Sequence, residues 1–225
     1  MSSKALIAEA IGTFAYVAVL CGTLLIGSAA AAGGLAPALA AGLTFTAMCF
    51  ALGGVSGCHF NPAVTLGLVA AGRFETRLAV PYVIAQVIGA SIAAAGFWLI
   101  ISNAPSGSAA SIADAANRFD APGTFPFAIV MVAETVAAAL LLLLFVGATS
   151  SGVPAGFAPI GLGFLIAVLH LVLWPISHAA LNPARATAVA MFADTQALAQ
   201  LWVFWVAPIV GAVAGGLFAR WINEE

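Results

Sequence analysis

The chain is 225 residues long, 64% hydrophobic and 6% charged, with a formal net charge of -2 and a mean hydropathy of +1.15. A soluble domain of this length needs far more polar surface to cover its core, so the composition excludes one and leaves an integral membrane protein. So few charges, with no basic run, also exclude nucleic acid as a partner.

The first apolar segment follows Met1-Ser2-Ser3-Lys4 and is much longer than the hydrophobic part of a cleaved leader. It is predicted to remain as a transmembrane helix over 5–29, and a second span follows over 35–55. Asn61-Pro62-Ala63 comes next. Asn is a favoured N-cap and Pro is tolerated at the first helical position, so the triplet predicts a helix start. About ten helix-compatible residues follow, and at 1.5 Å per residue they cover roughly 15 Å, half of a hydrocarbon core roughly 30 Å thick. A third span is predicted over 78–101. The segment 102–125, rich in Ser, Gly, Asn, Asp and Pro, reads as a solvated linker. Spans over 126–148 and 157–177 follow, then a second triplet, Asn182-Pro183-Ala184, then a last span over 199–222. Cys21, Cys49 and Cys58 lie in or beside apolar segments without C-x-x-C spacing and read as buried free thiols.

The chain repeats itself. Ala8-Glu9 is echoed by Ala133-Glu134, Ala36-Pro37 by Ala158-Pro159, the first Asn-Pro-Ala by the second, and Ala85 to Ala90 by Ala207 to Ala212, all at nearly one offset. Three spans per repeat make the second enter the bilayer from the opposite side, so the halves, about 4–101 and 126–222, are inverted within one channel domain, with 102–125 between them. Lys4, Arg73, Arg77 and Arg220 fall on the side shared by both termini, which places both ends in the cytoplasm and Arg118 outside. Small residues supply faces for close helix packing: Gly89, Ser91, Ala93 to Ala95 and Gly96 in the third span, and Gly211, Ala214, Gly215 and Gly216 in the last.

Six spans in two inverted halves, each with a re-entrant Asn-Pro-Ala half-helix, resemble the aquaporins, the major intrinsic protein family. The strings Ser56-Gly57-Cys58-His59-Phe60-Asn61-Pro62-Ala63-Val64-Thr65 and Leu181-Asn182-Pro183-Ala184-Arg185-Ala186-Thr187 are similar to its two signature loops. The resemblance, closest to the family's bacterial members, covers nearly the whole chain. It implies an all-α membrane fold, passive water transport, no cofactor, a homotetramer with one pore per subunit, and a bacterial inner membrane as the location.

Helix starts carry partial positive charge and unpaired N–H donors, so two of them converging at the bilayer midplane repel cations. The amides of Asn61 and Asn182 can donate to a passing water, turn its hydrogens outward and interrupt proton transfer. Non-helical backbone at membrane depth is tolerated where it lines a wet cavity, which makes the carbonyls of Gly57, Cys58, His59 and Phe60, and of His178, Ala179, Ala180 and Leu181, candidate acceptors along a pore. Glu9 and Glu134 are intramembrane carboxylates at equivalent positions. The resemblance implies that they brace the re-entrant loops, and that Ala41, His170, Ala179 and Arg185 form an external selectivity filter in which His170 and Arg185 donate to the solute. Ala41 departs from the water-channel pattern, which has Phe there. The missing ring widens the expected filter, and the alternative cargo is a small neutral solute such as glycerol, urea, hydrogen peroxide or arsenite. Trp174 and His178 are candidates to refill that space. An intramembrane enzyme using Cys58, His59, His170 or His178 lacks any paired-His metal spacing or nucleophile motif. A proton-coupled carrier would use Glu9 or Glu134 as its coupling carboxylate.

Overall fold

The computed structural model describes residues 3–26, 34–105, 111–121, 125–154 and 156–223. Its helices are α1 (Ser3–Leu25), α2 (Leu35–Ser56), α3 (Pro62–Ala70), α4 (Thr76–Ser102), α5 (Phe127–Ala148), α6 (Ala158–Ser177), α7 (Pro183–Ala190), α8 (Thr195–Gln200) and α9 (Val203–Asn223), with a short 3-10 turn at Ile112–Ala115. Six segments of the described residues are long and apolar enough to cross a bilayer. α3 and α7, of nine and eight residues, are not. The end of the first predicted span, 27–29, lies outside the described residues.

The last predicted span is divided. Asp194 caps a separate short helix, α8, by accepting from the Ala197 N–H at 2.9 Å, and α9 begins only at Val203. The break itself falls at Leu201 and Trp202, both apolar, so hydropathy alone cannot place it.

Each half is built the same way. α1 packs on α4 and α5 on α9, α2 lies across α6, and each half-helix docks on the final helix of the other half, α3 on α9 and α7 on α4. Close approach is bought at glycine. Gly89 faces the Ala10 carbonyl and Gly211, its counterpart, faces the Thr135 carbonyl, where an added Cβ would collide with backbone. Across the centre Gly42 and Gly163 face each other, and a Cβ on Gly163 would lie 2.6 Å from the Gly42 carbonyl oxygen. Gly163→Val is therefore expected to push α2 and α6 apart at a cost of about 1–3 kcal/mol, read as a lower unfolding temperature in detergent. Gly96 and Ala214, expected in packed faces, instead face outward, because the tight contacts fall one helical face away. Large side chains such as Ile7, Phe14, Val80, Ile84 and Phe164 also point outward, 40–67% exposed, which is the lipid-facing surface of a membrane bundle.

Candidate functional site

The two triplets meet. Asn61 and Asn182 hold extended backbone at φ -158° and -134° and cap α3 and α7, with Pro62 and Pro183 opening each helix. Each side-chain oxygen accepts from the backbone N–H two residues on, at Ala63 (2.8 Å) and Ala184 (2.9 Å). Each amide nitrogen donates across to the other half: Asn61 to the Leu181 carbonyl at 2.9 Å, Asn182 to the Phe60 carbonyl at 2.8 Å. A carboxamide has two N–H groups, so one on each Asn remains for another acceptor. Both border a narrow cavity that gives the centre of a water-sized sphere about 10 Å³, room for roughly one molecule.

Immediately upstream the backbone is left-handed at residues that are not glycine: Cys58, Phe60, His178, Ala179 and Leu181 have φ between 48° and 59°. Such conformations cost about 1–2 kcal/mol each and persist only when neighbours hold them. The two buried carboxylates do so at matching positions. Glu9 accepts from the N–H of His59 (3.0 Å) and Phe60 (2.7 Å), and Glu134 from those of Ala180 and Leu181 (both 2.8 Å). Gln86 Nε2 braces Glu9 at 2.7 Å, as the Ser177 hydroxyl braces Glu134 at 2.5 Å.

Of the eight candidate carbonyls, those of Phe60 and Leu181 each take one bond from the opposite Asn and keep a lone pair. The His178 carbonyl is corrected out of the set, because Asn117 (3.1 Å) and Arg185 (3.0 Å) occupy both its lone pairs. The Ala180 carbonyl accepts from the Asn182 N–H.

Arg185, on the first turn of α7, is fully buried. Its two terminal nitrogens reach the Asn117 side-chain oxygen and the His178 carbonyl, while Nε has no partner among the described residues. These partners are neutral, so they orient the guanidinium without cancelling its charge. Asn117 corrects the reading of 102–125 as a solvated linker in its described part, 106–110 and 122–124 lying outside the described residues: Ile112, Ala115, Ala116 and Asn117 are buried, and Asn117 also donates to the Ser177 carbonyl at 2.9 Å. Its position in a polar stretch gave no hint of this role. Asn117→Ala leaves Arg185 and two loop carbonyls short of partners, and is expected to lower stability by about 1–3 kcal/mol in thermal unfolding.

His170, on α6, is also fully buried. Its Nδ1 lies 2.9 Å from the Ile166 carbonyl, which can only accept, so Nδ1 carries the proton and Nε2 accepts from the Tyr16 hydroxyl at 2.9 Å. Both ring nitrogens are thus engaged within the protein, and the expectation that His170 donates directly to a solute is corrected for this reason. Ala41 and Ala179 are fully buried. Trp174 stacks on His178 with ring centroids 5.3 Å apart and covers Gly34, the N-cap of α2. Gly34 lies about two helical turns before Ala41, roughly 10 Å along α2, and the His178 Nδ1 lies 3.2 Å from the Ala116 carbonyl. Tyr16 is the nearby aromatic that sequence reasoning missed. Cys21, Cys49 and Cys58 are free and buried.

On the exposed rim Arg118 pairs with Asp194 at 2.6 Å and ties the loop after α4 to the start of α8. The Arg118 guanidinium, followed by the Ala197 N–H, holds the Asp194 carboxyl below its ordinary value. A depressed pKa contributes stability at pH above the unfolded value, and that contribution disappears as pH falls through the folded one. Hydrogen exchange of residues 111–121 in wild type is therefore expected to rise toward that of Asp194→Asn only below about pH 4.

A profile of the major intrinsic protein family matches residues 1–219. The chain is 43% identical to an aquaporin Z of Bradyrhizobium diazoefficiens over 230 residues, covering all of this chain and 95% of that one. It is 46% identical to an aquaporin Z of Brucella melitensis over 213 residues, covering 93% of each. Among solved structures, an aquaglyceroporin from Plasmodium falciparum superposes with a TM-score of 0.81 over 96% of this chain and 95% of that one, at 20% identity, which is a likeness of fold.

Proposed function

This chain belongs to the major intrinsic protein family and is a passive water channel of the membrane, not an enzyme; we propose that its paired half-helix tips give water a path and deny one to ions and protons. The observation that carries this reading is the reciprocal exchange in which Asn61 bonds the Leu181 carbonyl and Asn182 bonds the Phe60 carbonyl. It fixes two positively polarised helix starts against a cavity with room for roughly one water. The spare N–H of each Asn turns the water oxygen toward the tips, so neighbouring waters cannot pass a proton through that point. The free lone pairs of Phe60 and Leu181, with the carbonyls of Gly57, Cys58, His59 and Ala179, accept from waters on either side.

Glu9 and Glu134 hold those carbonyls in place. A coupling carboxylate would need protons to come and go, whereas each oxygen here is occupied by loop donors. Arg185, with Ala41 and Ala179, forms the external filter and adds a fixed positive charge. The halves form one inverted-repeat domain with both termini in the cytoplasm, and four copies assemble in a bacterial inner membrane. Chemical cross-linking in membranes tests the tetramer.

Stopped-flow light scattering of proteoliposomes tests the channel itself. Water flux is expected well above that of empty vesicles while a preset proton gradient holds. Flux equal to empty vesicles, or flux that requires the proton gradient, overturns the reading. A second reading, a facilitator of glycerol or a similar neutral solute, draws on the lone methyl group at Ala41.

A further inference from the structure

Resting on the water-channel reading, we propose that Tyr16 is a specificity-determining residue: its ring limits the width of the water path between the Asn pair and His170, and its hydroxyl supplies the polar contact that His170 withholds. Tyr16 sits on α1, in the first half of the chain, 154 residues from His170 in the second. It is 4% exposed and borders the same cavity as Asn61 and Asn182. Phe45, Phe60, Val64, Leu141, Ile166 and Leu181 form the apolar lining there, and Tyr16 is what α1 adds to it.

The orientation of the ring is fixed at its far end. Its hydroxyl donates to His170 Nε2 at 2.9 Å, and the two rings meet edge to face at 80° with centroids 6.0 Å apart. Since Nδ1 already donates to Ile166, the histidine cannot turn without breaking a second bond. A phenol that donates once keeps its oxygen lone pairs, so Tyr16 can accept from a passing water. A ring pinned at its hydroxyl and packed in the buried cluster with Ala41 and Phe45 cannot swing aside for a wider solute. The cavity that Tyr16 borders has room for roughly one water, about 10 Å³ for the centre of a water-sized sphere, and a three-carbon polyol is several times larger than a water.

The test compares wild type, Tyr16→Phe and Tyr16→Ala in proteoliposomes, with sucrose gradients for water and glycerol gradients for the polyol. Tyr16→Ala is expected to raise the ratio of glycerol to water permeability by roughly tenfold or more, the scale on which bulk in an apolar pocket discriminates. Tyr16→Phe keeps the ring and is expected to keep rejecting glycerol. Its water flux falls, because His170 Nε2 then takes its bond from a water and holds it. If Tyr16→Ala does not reconstitute, Tyr16→Leu, which retains more packing volume, carries the same readout. A glycerol-to-water ratio unchanged from wild type, in a variant that still passes water, overturns the inference and leaves the water channel standing. Wild-type vesicles without osmotic water flux overturn the channel reading and this inference with it.

Discussion

Glu134→Ala is expected to abolish water flux and to lower sharply the yield of folded protein. The substitution strands the N–H groups of Ala180 and Leu181 and the Ser177 hydroxyl, all bonded to that carboxylate in a fully buried site. Each buried donor left without an acceptor costs about 1–3 kcal/mol, and three together rival a total stability of about 5–15 kcal/mol. The strained backbone at Ala179 and Leu181 then relaxes, turning the carbonyls away from the path. Glu134→Gln keeps one acceptor oxygen and replaces the other with a donor, so partial flux and an intermediate unfolding temperature are expected. Glu134→Ala protein with wild-type flux and stability would show that the loop holds itself.

Arg185→Val is expected to raise cation leak while water still passes. At an effective dielectric of about 20, a unit charge roughly 5 Å from the path adds about 3 kcal/mol to the barrier for a monovalent cation. Taken alone, that is roughly a hundredfold in rate. The midplane barrier at the helix tips lies in series, so the rise in total leak is smaller, about tenfold. Sodium and proton leak, followed by voltage- and pH-sensitive dyes in the same vesicles used for osmotic shrinkage, checks it. An unchanged leak would place ion exclusion at the Asn pair alone. Val also vacates the partners of the guanidinium, so Arg185→Lys, which keeps the charge without the fork, separates loss of charge from loss of the bonds to Asn117 and His178.

The parts of the site legible in the sequence are those written locally. Asn-Pro-Ala announces a cap and a helix start by itself, and its recurrence at the offset that also relates Glu9 to Glu134 announces two equivalent loops. Asn117 and Tyr16 carried no such mark. One sits in a polar connecting segment and the other is a single aromatic on an apolar helix, and each gains its role from a partner 68 or 154 residues away. His170 was located at the expected element but with its nitrogens turned to Ile166 and Tyr16, because a buried imidazole takes the nearest complementary groups. Trp174 lies against Gly34 at the N-terminal end of α2, since helix-face spacing gives a side and a height but not the neighbour that awaits there.

Composition, the length of the apolar runs and the paired triplets by themselves determined a membrane bundle of six crossings and two half-crossings, because hydrocarbon forces backbone groups to bond internally and so ties helix length to bilayer thickness. Tertiary structure alone decided how wide the path is and what lines it. The gap between the half-helix tips is closed by groups from both halves of the chain, and the order of residues holds no measure of the distance at which they meet.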